Sequence, residues 1–228
     1  MLTVTLCAAS VSSGCRQSAQ LRSGPTKSYT TAFPLTENPV FEGGNWSNGR
    51  TDGIDWFNVA TRPGLAYGTQ LDAGGFSDST AILTGDWGPD QTVQATVHSI
   101  NQSDSDYVVE EVELRLRSTI SPHRITGYEV NFRCSKTSST YTEIVRWNGP
   151  LGKFTYLDHK RGSSYGVANG DVVKATMIGN TITVYVNGVQ VEQATDSTYG
   201  AGNPGIGFGR SGSVVATDFG FSRFTASD

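Results

Sequence analysis

The chain contains no run of apolar residues approaching the roughly 20 that cross a bilayer as a helix, so no transmembrane segment is expected. It also lacks an excess of positive charge: 17 Lys and Arg stand against 21 Asp and Glu, a formal charge of −4. Nucleic-acid-binding domains carry a basic patch or stripe, so no nucleic-acid partner is expected. Cysteine is scarce, with three residues in 228, and an odd number cannot all pair within one chain. Cys7, Cys15 and Cys134 form no Cys-x-x-Cys motif, and His98, His123 and His159 are far apart, which argues against a structural zinc site. Cys134 closes an alternating strand pattern and reads as a buried thiol. Helical periodicity is missing from every eleven-residue window.

What is present in quantity is punctuation. The 27 glycines and 8 prolines are too many for a helical bundle. The length suits one domain. Residues 1–14, MLTVTLCAASVSSG, are mildly apolar and then small, and Cys15 follows. This resembles the end of a secretory leader, with Cys15 as a lipid-attachment candidate, and it places the protein outside the cell or on its surface. The alternative is a first strand, since Leu2, Val4 and Leu6 alternate with Thr3 and Thr5. Residues 16–30 then read as a polar tether, and residues 31–228 as the folded domain.

Period-two alternation recurs through that domain and predicts an all-β, two-sheet antiparallel sandwich, a jelly roll. Residues 91–100 put Val93, Ala95 and Val97 on one face. Residues 107–117 oppose Val112, Leu114 and Leu116 to Glu111, Glu113, Arg115 and Arg117. Residues 127–135 oppose Tyr128, Val130, Phe132 and Cys134 to Glu129, Asn131 and Arg133. Residues 141–147 form a further strand whose two faces are mixed. Residues 172–178, 181–186 and 189–194 form a meander turned at Gly179-Asn180 and Asn187-Gly188, where positive φ is tolerated. Residues 219–224 read as a closing strand. The Gly- and Trp-rich stretches 41–55 and 67–79 read as loops over the sheets.

The segment GDVVKATMIGNTITVYVNGVQVEQATDSTYGAGNPGIGFG resembles the concanavalin A-like lectin/glucanase superfamily, especially its laminin-G-like members. The likeness rests on the run ending at Tyr185-Val-Asn-Gly188 and on the Gly205-Ile-Gly-Phe208 strand. GYEVNFRCS and EIVRWNGPLGKFTYL continue it upstream, so it covers about residues 34–228. The resemblance implies two curved sheets and a polysaccharide or oligosaccharide ligand in the concave groove of one. It also implies a structural calcium near the sandwich edge, for which Asp218 is the candidate ligand; no other cofactor is required.

The alternating charges on two successive strands nominate Glu113, Arg115, Arg117, Glu129, Asn131 and Arg133 as a sugar-binding floor. The planar Arg fork pairs with carboxylates or hydroxyls, and carboxylates accept from hydroxyls. The competing account is a solvated outer face laced with cross-strand ion pairs. Trp46, Trp56, Trp87 and Trp147 lie in or beside polar turns, and Trp147 is the one expected to be exposed for stacking.

Catalysis in the same groove is the alternative function, and an adhesion module is a third. Retaining glucanases of this fold carry E-x-D-x-E, but here the stretch is Glu111-Val-Glu113-Leu-Arg115, with Arg where the last acid belongs. Glu111 and Glu113 could still act as a pair, since alternate strand residues lie about 6.6 Å apart. Alginate lyases of the fold carry R-[ST]-E-L-R, of which Glu113-Leu-Arg115 survives. An elimination would then draw on Arg115 or Arg117, on His98 as base and on Tyr128 or Tyr185 as acid.

Overall fold

The computed structural model describes residues 27–71 and 75–228. The leader, Cys7, Cys15 and the alternative strand at Leu2–Leu6 lie outside the described residues. Five short strands come first: β1 (Ser28–Thr31), β2 (Trp46–Asn48), β3 (Val59–Arg62), β4 (Leu65–Gly68) and β5 (Ser79–Leu83). Long strands follow: β6 (Gln91–Ser99), β7 (Val109–Ser121), β8 (Arg124–Arg133), β9 (Tyr141–Gly149) and β10 (Phe154–Arg161). The C-terminal part holds β11 (Val172–Ile178), β12 (Thr181–Val186), β13 (Val189–Thr195), β14 (Asn203–Ser211) and β15 (Phe219–Ser227). The α-helical content of the described residues is one turn, α1 (Gly49–Asp52), N-capped by the Asn48 side chain, which accepts from the Thr51 N–H.

The strands form two antiparallel sheets. One has eight strands in the order β13-β12-β11-β6-β15-β4-β3, with β1 also paired to β15; the other has seven, in the order β10-β9-β8-β7-β14-β5-β2. β1 overlaps the stretch read as a tether, so residues 28–30 belong to the sandwich.

Alternation sends one face of each sheet into a shared core. Val93, Ala95, Val97, Val173, Ala175 and Met177 come from one side, and Val112, Leu114, Leu116, Val130, Phe132 and Cys134 from the other. These are the apolar faces the sequence predicts, and Cys134 is a buried free thiol. The stretches read as loops contain β2, α1 and the end of β4. They carry few residues per strand, too few for a period-two pattern to stand out.

β7 leaves the expected alternation at Arg117. The register with β8 shifts between Leu116 and Thr119, and Arg117 adopts a φ of +45°. Two glycines make room for this bulge. A Cβ on Gly127 would come within 2.6 Å of the Arg117 carbonyl oxygen, and one on Gly202 would collide with the same peptide. Arg117 is thereby turned out of the charged row. Its guanidinium donates to the carbonyls of Pro89 at 2.6 Å, Gly179 at 2.7 Å and Tyr199 at 3.0 Å, closing one end of the sandwich. Charged hydrogen bonds of this kind contribute about 1.5–3 kcal/mol, and buried carbonyls left without donors are costly. Arg117→Ala should therefore cost about 3 kcal/mol and lower Tm by on the order of 10 °C for a domain of this size. Thermal unfolding tests this, and an unchanged Tm would show that the three contacts contribute nothing.

Candidate functional site

The face of the seven-stranded sheet opposite the core is built as rows of cross-strand neighbours. Gly207, Glu113, Asn131, Glu143 and His159 are successive Cα partners from β14 to β10. The adjacent row is Gly205, Arg115, Glu129, Val145 and Tyr156, and on the other side Gly209, Glu111 and Arg133 align. Glycine at every second position of β14 is a steric requirement here. A Cβ on Gly207 would collide with the Glu113 carboxylate, and one on Gly209 would sit 3.0 Å from both Asp78 Oδ1 and Glu111 Oε1. The bare face of β14 is filled by its neighbours' acids.

Arg115 is fully buried beneath this face. Its Nη2 lies 2.7 Å from Glu113 Oε2 and 2.6 Å from Glu129 Oε2. Trp147 Nε1 donates to the same Glu129 oxygen at 2.8 Å. Burial opposes the Arg115 charge, but Glu129 and Glu113 outweigh it and raise its pKa. Above lies a cavity of about 310 Å³ whose lining includes Asp78, Glu111, Asn131, Glu143, Phe154 and Tyr156. That volume is at the lower end for small-ligand clefts, about 300–1,000 Å³.

Carboxylates outnumber guanidinium groups here, and burial together with like charge raises the pKa of four of them. Burial, then the charge of Glu129, pushes Asp78 up to about 7, against relief from Arg115. Glu143 also rises to about 7, through burial and Glu129, with Arg161 opposing. Glu111 is raised well above the ordinary range by burial and by Asp78, and Glu113 by burial and by Glu129.

Aromatic rings flank the acids. Trp56 meets Trp147 at 5.5 Å between centroids, Trp147 meets Phe154 at 5.3 Å, and Phe154 meets both Phe76 at 4.9 Å and Tyr156 at 5.3 Å. The series starts fully buried at Trp56 and ends in Phe76 and Tyr156, which are 50% and 52% exposed.

The structure brings together Glu111, Glu113, Arg115, Glu129 and Asn131 on one face, as alternation requires. Three expectations need correcting. Arg117 has left the row through the bulge. Arg133 is on the face but is spent on a loop, donating to Ser105 O at 2.8 Å and Val108 O at 3.0 Å. Trp147 is 2% exposed and packs between Trp56 and Phe154, so it supports the site's rings from below and does not offer a free face. Trp46, Trp56 and Trp87 are buried as well.

The catalytic candidates are not assembled as a pair or a trio. Glu113 has no exposure and is clamped by Arg115, whereas Glu111 reaches the cavity and is hydrogen-bonded to Tyr141. His98 is on β6 in the other sheet, outward between the buried Val97 and Ser99. Tyr128 is in the core, donating to Asp196 Oδ1 at 2.7 Å, and Tyr185 lies under Lys174 on the eight-stranded sheet.

The calcium expectation meets a poor donor set. Asp218 accepts from Asn101 Nδ2 at 2.9 Å and, among the described residues, joins no acidic group able to hold a metal. Carboxylate oxygens of Asp78, Glu111 and Glu113 do lie within 4.8 Å of one another. Calcium takes 6–8 oxygens, and here the Glu113 carboxylate is already neutralised by Arg115, so these residues do not fit that ion.

Compared by sequence, the chain matches no protein-family model and no curated protein. Compared by structure, it is similar to the carbohydrate-binding module CBM66 from Bacillus subtilis, with a TM-score of 0.52 and 15% identity over 85% of this chain and 95% of that one. It is similar also to the carbohydrate recognition domain of Emp47p (TM-score 0.53, 13% identity, 92% and 99% covered). A third is the Crh5 transglycosylase in complex with NAG (TM-score 0.50, 12% identity, 90% and 85% covered). The fold is the concanavalin A-like jelly roll. At such identities the likeness concerns this fold, and the site must be argued from its own residues.

In this jelly roll, sequence reasoning missed Asp78, Glu143, Phe76 and Tyr156. Alternate glycines in Gly205-Ile-Gly-Phe-Gly209 were a signal for a side-chain-free strip, and the mixed pattern Tyr141-x-Glu143-x-Val145 was one for a lined face. β10 gave no signal because its register with β9 shifts between Tyr156 and Asp158.

Two outcomes are expected. Arg115→Ala should destabilise by about 3–5 kcal/mol, because two carboxylates lose their buried partner; a Tm equal to the parent's would contradict the clamp. The carboxyls of Asp78 and Glu143 titrate near 7 in the folded state, against ordinary values of 3.8 and 4.5. Between those limits the folded protein keeps protons that the unfolded chain releases, so stability falls as pH rises through the window and levels off above it. Tm should be higher at pH of about 5.5 than at about 8, and Asp78→Asn should flatten the profile. A Tm that rises with pH would show these acids to be ionised.

Proposed function

We propose that this jelly roll binds a glycan in the cavity on the seven-stranded sheet. The observation that carries it is the pairing of two half-exposed rings, Phe76 and Tyr156, with a floor of hydrogen-bond acceptors at Asp78, Glu111, Asn131 and Glu143. A pyranose has an apolar C–H face and a rim of hydroxyl donors, so it matches both surfaces at once. The rings are braced through Phe154 and Trp147, which lowers the ordering cost of binding. Glu129 and Asn131, expected from sequence, remain in the site; Glu113 and Arg115 act beneath it as its support.

Binding without turnover is the simpler reading, since the E-x-E pair does not present two free carboxylates. The names of CBM66 and the Emp47p carbohydrate recognition domain agree with it. A polysaccharide outside the cell is the expected partner if residues 1–15 act as a leader, with Cys15 as the anchoring candidate.

Affinity electrophoresis through gels cast with a panel of polysaccharides tests the proposal. Retardation by at least one of them is expected. Tyr156→Ala and Phe76→Ala should each weaken it about tenfold, or about 1.4 kcal/mol, with Tm little changed because both rings are half outside. Absence of retardation throughout, or variants that migrate like the parent, would defeat it.

A further inference from the structure

We propose that the ligand of this cavity carries a protonated amine, as a sugar with a free amino group does, and that the nitrogen sits among Asp78, Glu111 and Glu143. This rests on the glycan reading above and narrows it. Asp78, Glu111, Glu129 and Glu143 all present carboxylates to the cavity. Asn131 also lines it, is 93% buried by its 7% exposure, and its Oδ1 has no hydrogen-bond partner among the described residues. That oxygen needs a donor, and an –NH3+ group offers three.

The cavity's own cations meet the demand only in part: Arg161 and, when protonated, His159 act on Glu143 from the rim. Arg115 lies below the floor: its Nη2 is committed to Glu113 and Glu129, and its Nε and Nη1 are buried without partners and do not bond the Asn131 oxygen. Arg210 donates through Nη1 to Val214 O at 2.7 Å. Arg161 is exposed at the rim, its guanidinium 5.8 Å from the Tyr141 ring centroid. A uronate or sulfated sugar would add negative charge to an acidic floor. A neutral sugar could donate hydroxyls but would leave the carboxylates uncompensated. The amine supplies a donor and a positive charge together, and the aromatic lining at Tyr156 and Phe154 is compatible with a cation. A calcium ion is a poorer match because Arg115 occupies one of its three carboxylates.

The test is calorimetric titration of the full chain near neutral pH with four oligosaccharide series. These are oligomers of glucosamine, the same oligomers N-acetylated, neutral gluco-oligomers and oligouronates. The free-amine series should bind at least tenfold more tightly than its acetylated counterpart. Glu143→Gln and Asp78→Asn should each shrink that ratio at least threefold, while Asp104→Asn, at an exposed loop on no part of the cavity, should leave it unchanged. Tm of each variant confirms folding. Equal or tighter binding of the acetylated, neutral or uronate series would overturn the amine and leave the glycan reading standing, as would neutral binding that appears only with added calcium. If all three variants lower the ratio alike, bulk charge and not the cavity is responsible, and the proposal falls. If no series binds, both fall together.

Discussion

The site depends on one buried ion triad. Arg115 is excluded from solvent, and its guanidinium is shared by Glu113 and Glu129 through a single nitrogen, Nη2. Taking three charges out of water costs several kcal/mol per ion, and a set of apolar residues would fold at least as well. What the triad gives is a fixed floor. It ties β7 to β8 beneath the cavity and, through the Trp147 N–H on Glu129, ties β8 to the aromatic side of the site. With Glu113 and Glu129 held there, further acids at Asp78, Glu111 and Glu143 lie in an environment with more carboxylate than guanidinium. Burial raises their pKa values, and that imbalance adds to the rise.

Such a floor needs space, and the backbone supplies it. Gly207 and Gly209 leave β14 without side chains on the outer face, so that the acids of β7 and the loop before β5 lie over it. The bulge at Arg117, flanked by Gly127 and Gly202, stops the charged row after Arg115 and converts the next arginine into a clasp between three turns. Glycine thus acts twice in different ways, once by leaving room for neighbours and once by allowing a strand to change face.

The rings set the other wall. Trp56 and Trp147 belong to a small apolar cluster with Ile125 and Val145, on the face of the sheet opposite the main core. That cluster carries the ring series outward to Phe76 and Tyr156. Stiff exposed rings beside unmet acceptors are a costly combination for a protein surface, since each acceptor out of water and without a donor is penalised. The cost makes sense where a ligand supplies the donors.

Local chemistry was enough to determine much of this protein. Strict alternation in β6, β7 and β8 identified the core faces, and Asn-Gly and Gly-Asn placed the turns of the β11–β13 meander, because the side-chain period of a strand and the φ tolerance of those residues are properties of the chain itself. Alternation likewise put Glu111, Glu113 and Arg115 on one face with Glu129 and Asn131 opposite them. The tertiary structure decided the rest. Whether a face is floor or rim depends on which strands lie beside it, so the buried state of Arg115 and Trp147 and the diversion of Arg117 could not be read along the chain. Asp78 and Phe76 arrive from a loop, Glu143 from a strand of mixed pattern and Tyr156 from a bulged one. Their meeting is set by sheet order, a long-range property that no spacing in the sequence encodes.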